Sequence, residues 1–404
     1  MARLFTQKPK VARLSRLFLE FYSKLSAGGA LLVLCAVVSL LLANSGIAQS
    51  WIGFWKTELN PGLPGLHAHS ITDWINDGLM TVFFLLVGLE IERELLVGEL
   101  SDRKTALLPV LAAVGGMLFP AAVFWLFNSS HPQNWRGAGI PTATDIAFAM
   151  AIMKTLSKRI PPSLAVFLTA LAIIDDLGAI LVIAVFYGQG IHFFWLGLAL
   201  LLFGLLLFLK RRGLQSLWYY LPAGLLLWWL MMQSGIHATI SGVMLAFAIP
   251  FGKKQGESSP SGKLLDILHE PVAWFILPLF ALANTALPLP GDVGELLKSP
   301  LSLGIMAGLM LGKPLGIWLA SMLSVRMGVA AIPTGVNGRL ILGAGMLGGI
   351  GFTMAMFVSN LAFESAGLVE MSKLAVLLGS CLAAVLGYVF LRVVQVNKGQ
   401  SQPG

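Results

Sequence analysis

Long apolar runs alternate with short polar punctuation along the whole chain. An α-helix rises about 1.5 Å per residue, so about 20 apolar residues cross roughly 30 Å of bilayer hydrocarbon. Measured on that ruler, the pattern predicts twelve spans, near residues 26–46, 74–91, 106–127, 138–153, 163–187, 191–209, 217–232, 235–251, 271–288, 302–325, 340–362 and 371–391. The stretch 217–252 is tight for two spans and divides at Gln233-Ser234-Gly235. The first run follows a basic leader. Its apolar core of about 17 residues exceeds the roughly 7–15 of a cleaved signal, which predicts a retained span. The expected fold is an all-α polytopic membrane protein. Residues 1–25 form a cytoplasmic N-terminal segment, 26–392 a single transmembrane domain and 393–404 a cytoplasmic tail.

Composition narrows the class. The chain is 57% hydrophobic and only 11% charged, against about 25% charged residues in soluble domains. No stretch is polar enough for long enough to form a water-soluble domain. A net charge of +8 could suggest nucleic acid, but the positions of the charges say otherwise. With the N-terminus inside, 22 of the 27 Lys and Arg residues fall on the cytoplasmic side, and Lys56, Arg136, Lys298 and Lys373 fall outside. Lys313 lies within a span. The positive-inside rule then puts both termini in the cytoplasm, and the basic excess becomes a topology signal. Cys35 and Cys381 sit in apolar runs without CxxC spacing, so they are expected as buried packing residues with no disulfide or metal role.

Four ionisable residues fall well inside the predicted spans: Asp175 and Asp176 in "ALAIIDDLGAI", Lys313 in "LMLGKPLGIW", and Asp145 in "PTATDIAFAM". Each costs about 2.5–3.5 kcal/mol at a helix centre. A structural ion pair with Lys313 would account for one aspartate and leave two carboxylates without a cation. A bound, exchangeable cation supplies the missing charge. Adjacent helical positions differ by about 100°, so Asp175 and Asp176 cannot face the same way. One can face a cavity while the other faces a neighbouring helix, within reach of Lys313. Desolvation and mutual repulsion penalise holding both charged, and such groups titrate as a set. A carboxylate able to trade a proton for a metal cation is the chemistry of proton-coupled transport.

Two segments look able to complete such a site with backbone. In "GIPTATDIAFAM" (139–150), Pro141 removes an amide donor and disfavours helix at the residue before it, with Thr142 and Thr144 beside Asp145. In "GAGMLGGIGFTMA" (343–355), five glycines make an unbroken helix costly, at about 1 kcal/mol each relative to alanine. Interrupted helices would free carbonyl oxygens for a hard cation. The segments belong to spans 4 and 11, within the groups 3–5 and 10–12. Those groups are offset by seven spans, an odd number, so they enter from opposite faces. Paired interruptions in corresponding positions point to inverted repeats.

Together, "PTATDIAFAM", "ALAIIDDLGAI", "SGIHATISGV", "ILPLFALANTA", "LMLGKPLGIW" and "GAGMLGGIGFTMA" resemble the bacterial NhaA-type sodium/proton antiporters, in the family order and over about residues 26–392. Those antiporters are among the proteins from which the inverted-repeat pointer is drawn, so it is not independent of the resemblance. The resemblance implies twelve helices with crossing interrupted helices at spans 4 and 11, and electrogenic export of Na+ or Li+ in exchange for H+. It implies Asp176 and Asp175 as the ion- and proton-binding carboxylates, with Asp176 the direct ligand and Thr144 a further one for Na+. Lys313 would pair with Asp175 when sodium is absent, and Asp145 would balance helix-end dipoles. It further implies activation at alkaline pH through Glu90, Arg93 and Glu94 in "VGLEIERELL" and His269 in "LDILHEP", with His237 affecting the response. Read as residues alone, these are also ordinary charges near helix ends. The family's charged pair just before span 9 is here Leu265 and Asp266. The loop 56–70 matches a β-hairpin at a family dimer contact. No cofactor is expected beyond the transported ions. The setting implied is a bacterial inner membrane, a homodimer in the lipid bilayer, and a part in sodium and pH homeostasis, with no nucleic-acid partner.

Other chemistries fit less well. An intramembrane aspartyl protease could use Asp145 and Asp176, but its GxGD pattern is absent. A prenyl-transfer DDxxD motif fails at Ala179. A cation channel would not need a lysine in its core.

Overall fold

The computed structural model describes residues 28–60, 69–101, 103–188, 190–252, 259–291 and 293–394. Among these residues, seven helices are long and apolar enough to cross a membrane: Ile71–Leu96, Thr105–Asn128, Pro162–Phe186, Phe193–Arg211, Pro260–Asn284, Pro300–Arg326 and Ala366–Val393. The pair Gly338–Gly348 and Phe352–Ala362, bent by 51° at its break, makes an eighth. The chain is thus an integral membrane protein. The other predicted spans correspond to shorter helices, Gly28–Leu42, Ile146–Thr155, Leu217–Gln233 and Ile240–Ala248. The division expected at Gln233-Ser234-Gly235 is present, with Gly235 at φ +77° where a side chain would be strained.

Several helices start earlier than the apolar pattern predicts, because local capping extends them into polar sequence. Ser70 and Asp73 form a capping box that begins the second span at Ile71. At another such start, Ser259 accepts from the Gly262 amide and Pro260 occupies the first turn, so that helix begins eleven residues before the expected 271. Pro271, which reads as a boundary, is instead absorbed by a π-helical turn over Val272–Ile276. A similar π turn over Gly308–Gly312 leads directly into Lys313 and Pro314.

The helices pack as two groups. One contains Arg103–Asn128, Pro162–Phe186, Pro300–Arg326, the bent pair and Ala366–Val393. The other joins Ile71–Leu96 to Ile240–Ala248, Leu217–Gln233 and Pro260–Asn284. In the first group, the helices carrying Gly115 and Gly316 touch backbone to backbone. A methyl group on Gly316 would overlap the Gly115 carbonyl oxygen, so only glycine permits this approach. That contact seats the Lys313 helix against its neighbour. Outside the helices, Glu58–Leu59 and His69–Ser70 pair antiparallel, Glu58 opposite Ser70, as a hairpin over 56–70 requires. Its tip, 61–68, lies outside the described residues.

Two readings of single residues are corrected. Cys381 is exposed and Cys35 only half-buried, so neither is a fully buried packing residue. A lipid-facing surface is as apolar as a core, so an apolar run cannot tell the two apart. Lys373, counted on the outer side, lies within the predicted span 371–391, in the helix Ala366–Val393, and is buried.

Candidate functional site

The two interrupted segments meet at their breaks. The first runs as a 3-10 helix over Pro132–Thr142, turns extended at Ala143 through Asp145, and resumes as Ile146–Thr155. The 3-10 winding passes through Pro141, so the break falls two residues beyond the proline. The second breaks between Gly348 and Phe352. The Asp145 amide donates to the Ile350 carbonyl at 2.7 Å and joins the two breaks directly.

This crossing brings like helix ends together. The helices that resume at Ile146 and at Phe352 both point their amide-rich N-termini, which carry partial positive charge, at the junction. Asp145 serves both. Its Oδ1 accepts from the Phe148 amide at 3.0 Å, and its Oδ2 accepts from the Thr353 amide at 3.1 Å and the Thr353 hydroxyl at 2.5 Å. Ser380 adds a further cap, accepting from the amides of Gly351 at 3.2 Å and Phe352 at 3.0 Å. The helix ends that stop at the junction present carbonyls. The Thr142 carbonyl accepts from Lys313 Nζ, and the Gly348 carbonyl lies 2.9 Å from the Thr144 hydroxyl.

Lys313 and Asp175 form an ion pair at 2.8 Å, with both side chains 0% exposed. Thr144 Oγ1 also lies 2.7 Å from Asp175 Oδ2, so its single proton has two acceptors to choose between, this oxygen and the Gly348 carbonyl. Lys313 pairs with Asp175 and not with Asp176, as the angle of about 100° between adjacent helical positions favours. It is buried, and its Oδ1 has no protein partner; neither has Asp175 Oδ1. Asp176 lies within electrostatic reach of Asp175, Glu90, Asp145 and Lys313. Asp145, Asp175, Asp176, Thr144 and Lys313 are therefore one constellation: three carboxylates, one ammonium, and two sets of opposed helix ends.

The arrangement suits a mobile cation. Its available donors are carboxylate, hydroxyl and carbonyl oxygens, hard ligands for a hard ion. Among the described residues, no group of three or more His, Cys, Asp or Glu side chains is arranged to hold a metal ion. Two carboxylates with backbone and hydroxyl oxygens make a looser set, from which an ion can leave.

The remaining predicted residues lie outside this constellation, with Glu90 still within electrostatic reach of Asp176. Glu90 is buried, with Oε1 3.4 Å from His269 Nε2, and Arg93 Nη2 lies 3.4 Å from Glu94 Oε1. These four residues gather where Ile71–Leu96 passes Pro260–Asn284. His237 is apart from them, in the turn before Ile240–Ala248, with its Nε2 3.0 Å from the Tyr187 carbonyl. It is a hydrogen-bonded histidine near a helix end. Leu265 is buried.

Three contributors escaped the sequence reading. Thr353 and Ser380 are isolated hydroxyls in apolar runs, and only the crossing of distant segments gives them partners. Glu92 sits beside Glu90 and Arg93 in a run of charges. Its burial and its 2.7 Å ion pair with Lys210 come from a helix more than a hundred residues on.

A family model described as Na+/H+ antiporter 1 matches residues 19–391 of the chain. The chain is 49% identical over 386 residues to a Na(+)/H(+) antiporter NhaA of Flavobacterium psychrophilum, covering 95% of this chain and 98% of that protein. It is also 49% identical over 391 residues to a Na(+)/H(+) antiporter NhaA of Dechloromonas aromatica, covering 96% and 98%. Among solved structures, a sodium proton antiporter of Methanocaldococcus jannaschii, MjNhaP1, aligns at TM-score 0.48 with 16% identity, over 94% of this chain and 98% of that one.

Proposed function

The chain belongs to the Na+/H+ antiporter 1 family, and from that premise we propose that it is a secondary active antiporter that exports Na+ or Li+ in exchange for H+. The observation that carries this reading is the buried pair of adjacent aspartates doing different jobs. Asp175 is held by Lys313 at 2.8 Å, while Asp176 keeps an oxygen with no protein partner beside the crossed helix breaks.

In this reading Asp176 ligates the cation, and Asp175 and Thr144 join it when sodium arrives. Sodium replaces Lys313 as the counter-charge of Asp175. Protons then displace sodium from the carboxylates, so sodium and protons occupy the site in turn. Asp145 neutralises the two helix N-termini and holds the crossing in register, while Lys313 neutralises the carbonyl ends. Exchange is electrogenic, moving more protons in than sodium ions out. The cluster of Glu90, Arg93, Glu94 and His269, with His237 at a distance, tunes activation at alkaline pH. No cofactor takes part. The whole of 26–392 works as one transporter domain of twelve spans, with inverted repeats in spans 3–5 and 10–12. The distribution of Lys and Arg supports cytoplasmic termini in a bacterial inner membrane. The paired strands at Glu58 and Ser70 support a homodimer contact there.

The test is sodium-dependent collapse of an imposed proton gradient in proteoliposomes. Folded protein with no response at alkaline pH overturns the reading. Asp176→Asn is expected to abolish exchange, and retained activity would reassign the site.

A further inference from the structure

Away from the ion site, one buried polar knot ties the two helix groups together. Asn284, fully buried at the end of Pro260–Asn284, uses all of its hydrogen-bonding capacity. Its Oδ1 accepts from Asn360 Nδ2 at 2.8 Å and from Lys373 Nζ at 3.0 Å. Its Nδ2 donates to Asn76 Oδ1 at 2.9 Å and to the Phe280 carbonyl at 3.0 Å. Asn76 and Asn284 stand on one group of helices; Asn360 and Lys373 stand on the group that carries the aspartates.

An aromatic layer adjoins the knot. The ring of Phe357 lies 5.3 Å from that of Phe84 and 6.5 Å from that of Phe280, centroid to centroid. Phe280 is one turn before Asn284, and Phe357 is one turn before Asn360, so each layer draws members from both groups. Parting the groups breaks both layers without unfolding any helix. The knot also suits a reversible contact. Water can take over the bonds of three amides and an ammonium once they are exposed, so opening forfeits the net and not the gross strength of each bond, whereas a half-formed knot leaves buried polar groups stranded.

The four polar residues lie at helix ends that cytoplasmic termini turn outward. We propose that this knot is the outer latch of the transport cycle, closed in this structure, with the Lys373 ammonium as the charge-assisted donor that ties Asn284 to the aspartate-bearing group. The proposal rests on the antiporter reading and adds to it which residues seal the outer side.

Asn284→Ala and Lys373→Met, reconstituted in oriented vesicles, test it through the apparent KM for sodium presented at each face. Weakening the latch shifts the population toward the outward-open state. The KM at the outer face should fall and that at the cytoplasmic face should rise, moving their ratio about tenfold, as loss of a charge-assisted hydrogen bond implies. Intact exchange with an unmoved ratio, or a loss of maximal rate alone, overturns the latch. Asn284→Cys with Asn360→Cys, in a Cys35→Ser, Cys381→Ser background, provides a second measurement. A short thiol-cleavable cross-linker should arrest exchange and a reductant should restore it; exchange that continues across the link overturns the proposal. Wild-type protein run alongside separates the two failures. Absent wild-type exchange sinks the antiporter reading, whereas wild-type exchange with unmoved variants sinks the latch alone.

Discussion

Lys313→Met keeps the length of the side chain and removes its charge from a site where the lysine is 0% exposed. Asp175 Oδ2 loses its partner at 2.8 Å and keeps only the Thr144 hydroxyl, while Oδ1 has no protein partner to begin with. The Thr142 carbonyl loses its donor as well. Breaking a buried ion pair from one side costs about 3–5 kcal/mol, because the surviving charge is left in a medium that cannot solvate it. Asp175→Asn should cost a similar amount by stranding the ammonium. The double variant removes both charges. What remains is the orphaned Thr142 carbonyl, about 1–3 kcal/mol. The two single changes therefore should not add, and the cycle should show a coupling of at least about 3 kcal/mol. Reversible denaturant unfolding in detergent, without sodium and followed by tryptophan fluorescence, measures it. Sodium gives an independent arm. At about a hundred times its dissociation constant it should return about 2.7 kcal/mol to any variant whose site still binds it, Lys313→Met included. Additive single changes would refute the pairing argument, and no sodium effect on Lys313→Met would refute sodium as the replacement counter-charge.

Four further changes test the surrounding frame. Thr353→Val removes the hydroxyl that donates to Asp145 at 2.5 Å and leaves the amide at 3.1 Å. It should cost about 1.5–3 kcal/mol in the same unfolding assay and slow exchange, with Thr353→Ser restoring both. Gly316→Ala forces a methyl against the Gly115 carbonyl oxygen and should cost about 1–3 kcal/mol or more by overpacking. Gly204→Ala meets nothing within 4 Å and should gain up to about 1 kcal/mol of helix propensity, so equal effects on melting temperature would discredit the packing argument. Lys210→Met strands Glu92 and the Phe247 carbonyl and should destabilise by about 1–3 kcal/mol, partly recovered by adding Glu92→Gln, as denaturant midpoints will report.

Much of the core was legible in the chain because membrane physics is local. A carboxylate in an apolar run is expensive wherever it sits, so Asp145, Asp175, Asp176 and Lys313 stood out before any partner was known. The separation of Asp175 from Asp176 followed from helical geometry alone, and the interruption near Gly348 followed from backbone propensity. Helix starts were less legible. Ser70 and Ser259 carry their helices into polar sequence that hydropathy reads as loop, and a π turn hides the proline at 271.

The sequence by itself determined that the chain must live in a membrane, that Asp145, Asp175, Asp176 and Lys313 are held inside it, and that helices break near Pro141 and Gly348, since each of these depends on neighbouring residues and the solvent around them. The tertiary structure alone decided which charge meets which. The crossing that turns Asp145 into a cap for two helices joins residues 208 apart in the chain. The same holds for Thr353, Ser380, Glu92 and the knot around Asn284, whose single polar side chains look ordinary along the chain. Hydrogen bonds and ion pairs act over a few ångströms of space, and no pattern of spacing along one strand of sequence encodes which distant helix will supply the partner.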